Sequence, residues 1–229
     1  MSAVPESHPI PNLFSLQGVS VAYDGEAVLK DIYLEIREGE QVVIFGPSGA
    51  GKTTLLRRLL ELRPDRTAFI HQDYALVPQL SVFHNVYAGS LDQNSWHHNL
   101  RNLVRPHTLD VEKVEAVIAR VGLEGKLWDS VSDLSGGQQQ RVAVARAIFR
   151  GVNVLLADEP VASVDSQQSA AILQMLKNVA ETSVVSLHDV SLGMDVFSRV
   201  IGVRAGQIEF DLPTADVSPV LLENLYRPC

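Results

Sequence analysis

Three features of this 229-residue chain predict an α/β fold, a mostly parallel sheet with a helical lobe inserted into it. The apolar run Val42 to Phe45 leads through Gly46-Pro47-Ser48-Gly49-Ala50-Gly51-Lys52-Thr53 into a leucine-rich helical pattern. Apolar strand-like runs then alternate with helical ones, the pattern of a sheet covered on both faces. Between the first and second groups of such runs lies a mostly helical stretch, residues 75–148.

Taken in order, Leu13 to Ala22 reads as a roughly alternating strand and Val28 to Ile36 as its partner. Glu38-Gly39-Glu40 is a turn, and Val42 to Phe45 a short central parallel strand. Lys52 to Leu62 is a helix stopped by Pro64. Thr67 to His71 forms a short strand ending near Gln72. Ser81 caps a helical region reaching Ala88, residues 89–109 form a polar stretch, and Leu109 to Val121 is an amphipathic helix ended by Gly122. Gln138 to Phe149 is helical and Val152 to Ala157 a strongly apolar strand. Gln167 to Glu181 is a helix and Ser183 to Leu187 a strand. Val200 to Val203 and Gln207 to Phe210 pair as a hairpin through Ala205-Gly206, and residues 217–227 form a final short helix. The organisation expected is a loose tail, 1–11, and one domain, 12–229, with a core of 12–74 and 149–229 and a helical lobe of 75–148.

Composition narrows the classes of function. The net charge of −8 argues against a broad electrostatic grip on nucleic acid or anionic lipid. The only cysteine is Cys229, so no internal disulfide can form, which fits a reducing compartment. No cysteine or histidine cluster has zinc spacing, and the adjacent His97-His98 pair does not read as a metal site. The proline-containing N-terminus lacks an export signal, and no run of about 18 apolar residues crosses a bilayer. A cytoplasmic location is expected.

The glycine-rich segment matches G-x-x-x-x-G-K-[ST] in its required setting of strand, loop and helix. Gly46, Gly49 and Gly51 let the backbone wrap phosphate oxygens, and their amides and the helix start supply donors. Lys52 is placed to bridge terminal phosphates, and the Thr53 hydroxyl to reach Mg2+. Pro47, Ser48, Ala50 and Thr54 complete the candidate nucleotide loop. Val154 to Ala157 buries a strand from which Asp158 and Glu159 emerge at the C-terminal end, where open α/β sheets bind ligands. There Asp158 would hold Mg2+ through water, and Glu159 would polarise the attacking water. In Leu134-Ser135-Gly136-Gly137-Gln138, a Ser-Gly-Gly loop enters a helix and offers a second anion contact, though it also reads as a plain capped helix.

Taken together, these segments resemble the ATP-binding subunit of an ATP-binding-cassette transporter. Leu134 to Gln138 is similar to that family's signature motif. The resemblance implies a phosphate-loop NTPase core that binds and hydrolyses ATP with Mg2+. It implies a head-to-tail homodimer in which Ser135, Gly136, Gly137 and Gln138 face ATP on the opposite copy. Tyr23 matches the aromatic that stacks on adenine; alone, it could equally be a core or edge aromatic. Gln72 matches the glutamine that senses Mg2+ or water and couples to the membrane subunit. Ser163-Val164-Asp165 matches the loop meeting the opposite subunit, with a helix cap as the bland reading. His188 matches the histidine that contacts the γ-phosphate. The implied catalytic set is Lys52, Gln72, Glu159 and His188, and the implied metal set is Thr53, Gln72 and Asp158. Partners implied are a second ATPase subunit, integral membrane permease subunits and, indirectly, a solute-binding protein, with no nucleic acid. The chain would sit peripherally on the inner face of the cell membrane.

Two departures stand out. Only 20 positions separate Lys52 from Gln72, fewer than family members usually have, so the peripheral antiparallel subdomain is expected to be reduced. The stretch from Val82 to Pro106, and Ala162 before Ser163, are most similar to ATPase subunits of phosphonate-type importers. The competing readings are a soluble non-transport ATPase of the same superfamily, a non-hydrolytic regulatory subunit and a free kinase. The kinase reading leaves the Ser-Gly-Gly-Gln element without a role.

Overall fold

The computed structural model of the chain describes residues 12–161 and 166–227. Its centre is a six-stranded sheet of order β4-β5-β6-β3-β7-β8. The strands are β3 (Gln41–Phe45), β4 (Thr67–Ile70), β5 (Val154–Asp158), β6 (Thr182–Ser186), β7 (Arg199–Arg204) and β8 (Gln207–Pro213). All neighbours run parallel except β7 and β8. The separate two-stranded antiparallel sheet pairs β1 (Asn12–Tyr23) with β2 (Glu26–Arg37). No strand lies between α1 (Lys52–Leu62) and β4, as the short spacing to Gln72 predicts.

Strand β3 shows why the sheet needs two covers. Val42 and Ile44 enter one apolar cluster with Leu55, Leu56 and Leu59 of α1 and the inward side of β1–β2. Val43 and Phe45 point the other way, into a cluster shared with the helical lobe. Side chains alternate along a strand, so a central strand buried on both faces reads as a continuous apolar run.

The lobe contains α2 (Val82–Tyr87), a 3-10 turn (Ala88–Gln93), α3 (Trp96–Val104), α4 (Thr108–Arg120) and α5 (Gly136–Arg150). Ser81 caps α2 by accepting a hydrogen bond from the His84 amide, as expected. Gly122, at φ +70°, follows the end of α4. The polar stretch 89–109 is more ordered than its composition suggests, because it carries the 3-10 turn and α3. α6 (Ser166–Lys177) ends four residues before the expected Glu181, and β5 begins at Val154 rather than Val152. Helix α7 (Val190–Val196) was not expected either; it is capped by Asp189, which accepts from the Leu192 amide. The chain closes with α8 (Pro219–Tyr226).

The β7–β8 hairpin turns at Ala205 (φ +49°) and Gly206 (φ +81°), two consecutive left-handed residues of the kind tight hairpins select. Gly206 is held between β2 and the phosphate loop: its carbonyl accepts from the Lys30 amide and its amide donates to Ala50 O. A Cβ there would lie 2.4 Å from Val28 O, so the close approach requires glycine.

Candidate nucleotide-binding site

Because β3, β4, β5 and β6 are parallel, their C-terminal ends share one edge of the sheet. Phe45 leads into the phosphate loop, Ile70 toward Gln72, Asp158 into Glu159, and Ser186 toward His188. Open parallel sheets gather their functional groups along such an edge. A cavity of about 300 Å³ opens there, lined by Ser48 to Thr54, Gln72, Glu159, His188 and Val28.

The phosphate loop ends at Gly51, which caps α1 at φ +104° in the left-handed region that glycine adopts without strain. Lys52 is buried, only 5% exposed, and its Nζ donates to Gly46 O (2.7 Å) and Pro47 O (3.2 Å). Burial pushes the Lys52 ammonium below its ordinary range, while the negative charges of Glu159 and Asp158 pull it back up. Its Nζ stands 3.7 Å from Glu159 Oε1. The same Glu159 oxygen is 2.7 Å from His188 Nε2. One carboxylate oxygen thus joins the cationic group of α1 to the imidazole beyond β6.

Thr53 Oγ1 donates to Asp158 Oδ2 at 2.7 Å. A hydroxyl and a carboxylate are hard oxygen donors, the type Mg2+ takes, so this pair fits a magnesium ion. Asp158 is 4% exposed, and its second oxygen accepts from Ser186 Oγ at 2.7 Å. Ser186 also accepts from the Glu159 amide at 3.0 Å. Glu159 sits at φ +46°, a strained position for a non-glycine residue, of a kind that clusters at active sites. The Glu159 amide also donates to Ser186 O at 3.2 Å. A single serine of β6 therefore holds the Asp158 carboxylate and the Glu159 backbone.

Ser186 is a residue the sequence reading missed. Its role depends on the β5–β6 register, which places it opposite Asp158. The available signal was a small hydroxyl residue at the end of a wholly buried strand. Arg146 was missed too. From α5 it donates to Tyr74 O and to Ala75 O (2.7 Å), the carbonyls just beyond Gln72. Tyr74 and Ala75 both have positive φ, 61° and 44°. This guanidinium braces an irregular turn while linking the helical lobe to it.

The remaining predicted residues divide by place. Ser135 caps α5 and closes a capping box: its hydroxyl accepts from the Gln138 amide (3.4 Å), and its own amide donates to Gln138 Oε1 (3.0 Å). Ser135 and Gly136 are exposed on the helical lobe, and none of Ser135 to Gln138 lines the phosphate-loop cavity. Tyr23 is exposed at the end of β1 and also lies off that cavity wall. Asp165, with Ser163 and Val164, lies outside the described residues. Among the described residues, no group of three or more His, Cys, Asp or Glu could hold a metal ion, and no helix is long and apolar enough to cross a membrane.

Comparison with known proteins places this geometry in a family. Residues 29–162 match the model of the ABC transporter family. The phosphonates import ATP-binding protein PhnC of Thiobacillus denitrificans is 38% identical, over 93% of this chain and 92% of its own length. The corresponding protein PhnC 1 of Pseudomonas syringae pv. tomato is 40% identical over 89% of this chain and 87% of its own. Among solved structures, the dimeric bacterial ABC transporter cassette MJ0796 superposes with a TM-score of 0.74 at 28% identity, covering 87% of this chain and 98% of that one. The same cassette, in a dimeric post-hydrolysis state bound to ADP and phosphate, gives 0.73 at 27% identity with the same coverage. The chain belongs to the ATP-binding subunits of the ABC transporters and is an ATP-hydrolysing enzyme of that family, related to the PhnC-type ATPases.

Proposed function

We propose that this chain is the ATPase subunit of an importer for phosphonates or a related oxyanion. The observation carrying the reading is the contact of one Glu159 oxygen with both His188 and Lys52 on the wall of the phosphate-loop cavity. The cargo assignment draws on the likeness to the PhnC relatives, whose names state phosphonate import.

In this reading, the backbone amides of Ser48 to Thr54 surround the β- and γ-phosphates of ATP, and Lys52 exchanges its loop carbonyls for phosphate oxygens. Burial makes the bare ammonium costly, so gaining an anionic partner favours binding. Thr53 and Asp158 would hold Mg2+, with Gln72 on the same cavity wall, and the ion would supply neutralisation of phosphate charge. Glu159 orients and polarises the attacking water, held in place by the Ser186 clamp, and His188 contacts the γ-phosphate. Tyr23 packs on adenine. A second copy lies head to tail, bringing its Ser135, Gly136, Gly137 and Gln138 to the γ-phosphate and its Asp165 to the interface. Closure around two nucleotides moves the lobe, residues 75–148, against the core, residues 12–74 and 149–229, and Gln72 with Arg146 relays that motion to the permease. The expected tail, residues 1–11, lies outside the described residues. The subunit works in the cytoplasm, peripheral to the inner face of the membrane, with permease subunits and an external solute-binding protein and without nucleic acid.

Uptake into proteoliposomes tests it. The chain is reconstituted with its permease and binding protein, and labelled phosphonate is followed with ATP enclosed on the ATPase side. ATP-dependent accumulation that Glu159→Gln abolishes is the expected result. ATP turnover without phosphonate movement, with another oxyanion taken up instead, would overturn the cargo assignment.

A further inference from the structure

Helix α3 is amphipathic with its faces reversed. His98, Asn99 and Asn102 point inward. Asn99 accepts from Tyr87 Oη (2.9 Å) and donates to Leu91 O (2.8 Å). His98 Nε2 and Asn102 Nδ2 both meet Asp110 Oδ2, at 2.7 and 2.8 Å, and Asn102 Oδ1 accepts from the His107 amide at 2.7 Å. The opposite face carries Trp96, Leu100, Leu103 and Val104, exposed by 67%, 55%, 53% and 81%. Their spacing of i, i+4, i+7 and i+8 makes one stripe. The helix cannot roll this stripe inward without unpairing Asn102, which is fully buried. The polar side anchors α3, and the apolar side is presented outward.

The rim of the stripe is basic. No acidic residue occurs between Asp92 and Asp110, while Arg101 and Arg105 lie in that span and are exposed. His97 stacks on Trp96 with ring centroids 3.5 Å apart. We propose that α3 is an interfacial helix whose apolar stripe enters the headgroup region of an anionic lipid bilayer, with Arg101 and Arg105 against the lipid phosphates. Tryptophan and aliphatic residues beside arginines are the composition of such helices. The contact is local, which reconciles it with a chain whose net charge is −8.

Size and charge favour lipid over protein. The stripe is four side chains on a helix of nine residues, whereas a stable protein interface draws on about 20–30 residues a side. Insertion among headgroups needs no complementary surface. A second copy would bring arginine against arginine. The setting rests on the transporter reading: a subunit already tethered to a permease needs only a weak additional contact, because tethering raises its effective concentration.

The test uses the full chain, sedimented at low salt with phosphatidylcholine vesicles with and without phosphatidylglycerol. Trp128→Phe leaves Trp96 as the only tryptophan, since the chain has two. Expected are sedimentation with the anionic vesicles alone and a blue shift of Trp96 emission. Arg101→Gln and Arg105→Gln should each weaken binding about fivefold. Leu100→Glu should weaken it about tenfold or more. These side chains are exposed, so circular dichroism of the variants should match that of the parent. No sedimentation with anionic vesicles, or binding that Leu100→Glu leaves unchanged, would overturn the proposal. Loss of permease capture in detergent by Leu100→Glu, with no vesicle binding by the parent, would make the stripe a protein interface and equally overturn it. ATP turnover on the same samples reports on the transporter ATPase reading separately.

Discussion

Replacing Ser186 with alanine removes a hydroxyl that bonds both the Asp158 carboxylate and the Glu159 amide. Ser186 is fully buried, donates to Asp158 Oδ1 at 2.7 Å and accepts from the Glu159 amide at 3.0 Å. A hydrogen bond to a buried carboxylate contributes about 1.5–3 kcal/mol, and its loss leaves that oxygen without a side-chain donor among the described residues. The Glu159 amide keeps its bond to Ser186 O at 3.2 Å, so the second loss is partial. Ser186→Ala should therefore lower unfolding free energy by about 2 kcal/mol, read from the urea midpoint at unchanged slope. It should also lower kcat, because Glu159 at φ +46° loses part of what holds it in a strained position. A loss of about tenfold corresponds to 1.4 kcal/mol of transition-state stabilisation. Steady-state phosphate release reads it, and Ser186→Thr, which keeps the hydroxyl, should recover part of the rate. A variant within about 0.5 kcal/mol of the parent, with unchanged kcat, would refute the clamp.

Three further outcomes are expected. Arg146→Ala removes two hydrogen bonds to the Tyr74 and Ala75 carbonyls and should cost about 3 kcal/mol in urea unfolding, with faster proteolysis near Gln72. Gly46→Ala places a Cβ 2.1 Å from Val203 O, so it should destabilise by about 3 kcal/mol or more and abolish ATP binding by calorimetry. At Asp110, burial favours the neutral acid, but hydrogen bonds from Asn102 and His98 and the His98 charge outweigh it and hold the carboxyl below 3.8. Its folded pKa is depressed, so its stabilisation is present above the unfolded value and is lost as pH falls through the folded one. α3 should loosen below about pH 4, with rising amide exchange there and none of that change in Asp110→Asn.

What could be read from the sequence follows from which interactions are local. α1 occupies Lys52–Leu62 as expected, because Gly51 and Pro64 bound it and its leucines share one face. α5 begins at Gly136 rather than at the expected Gln138, because Ser135 and Gln138 close a capping box that draws both glycines into the first turn. α3 escaped because its inward face is polar, so apolar periodicity suggests no core-facing helix there. α7 has only seven residues, and its Gly193 is needed because Phe45, far away in the chain, lies where a Cβ would go. Lys52 and Glu159 were assigned by motif and His188 by family resemblance, and the three side chains converge. The Ser186 and Arg146 contacts depend on strand register and lobe packing, which no short stretch of sequence encodes.

Phosphate release from Mg-ATP by the purified parent and by Glu159→Gln tests the central claim most directly. The substitution keeps the side chain's size and removes its charge. The account predicts turnover by the parent, a loss of about 100-fold or more in the variant, and ATP binding retained in both. Equal turnover by the two proteins would contradict the assignment of Glu159 and the catalytic role given to its contacts with His188 and Lys52.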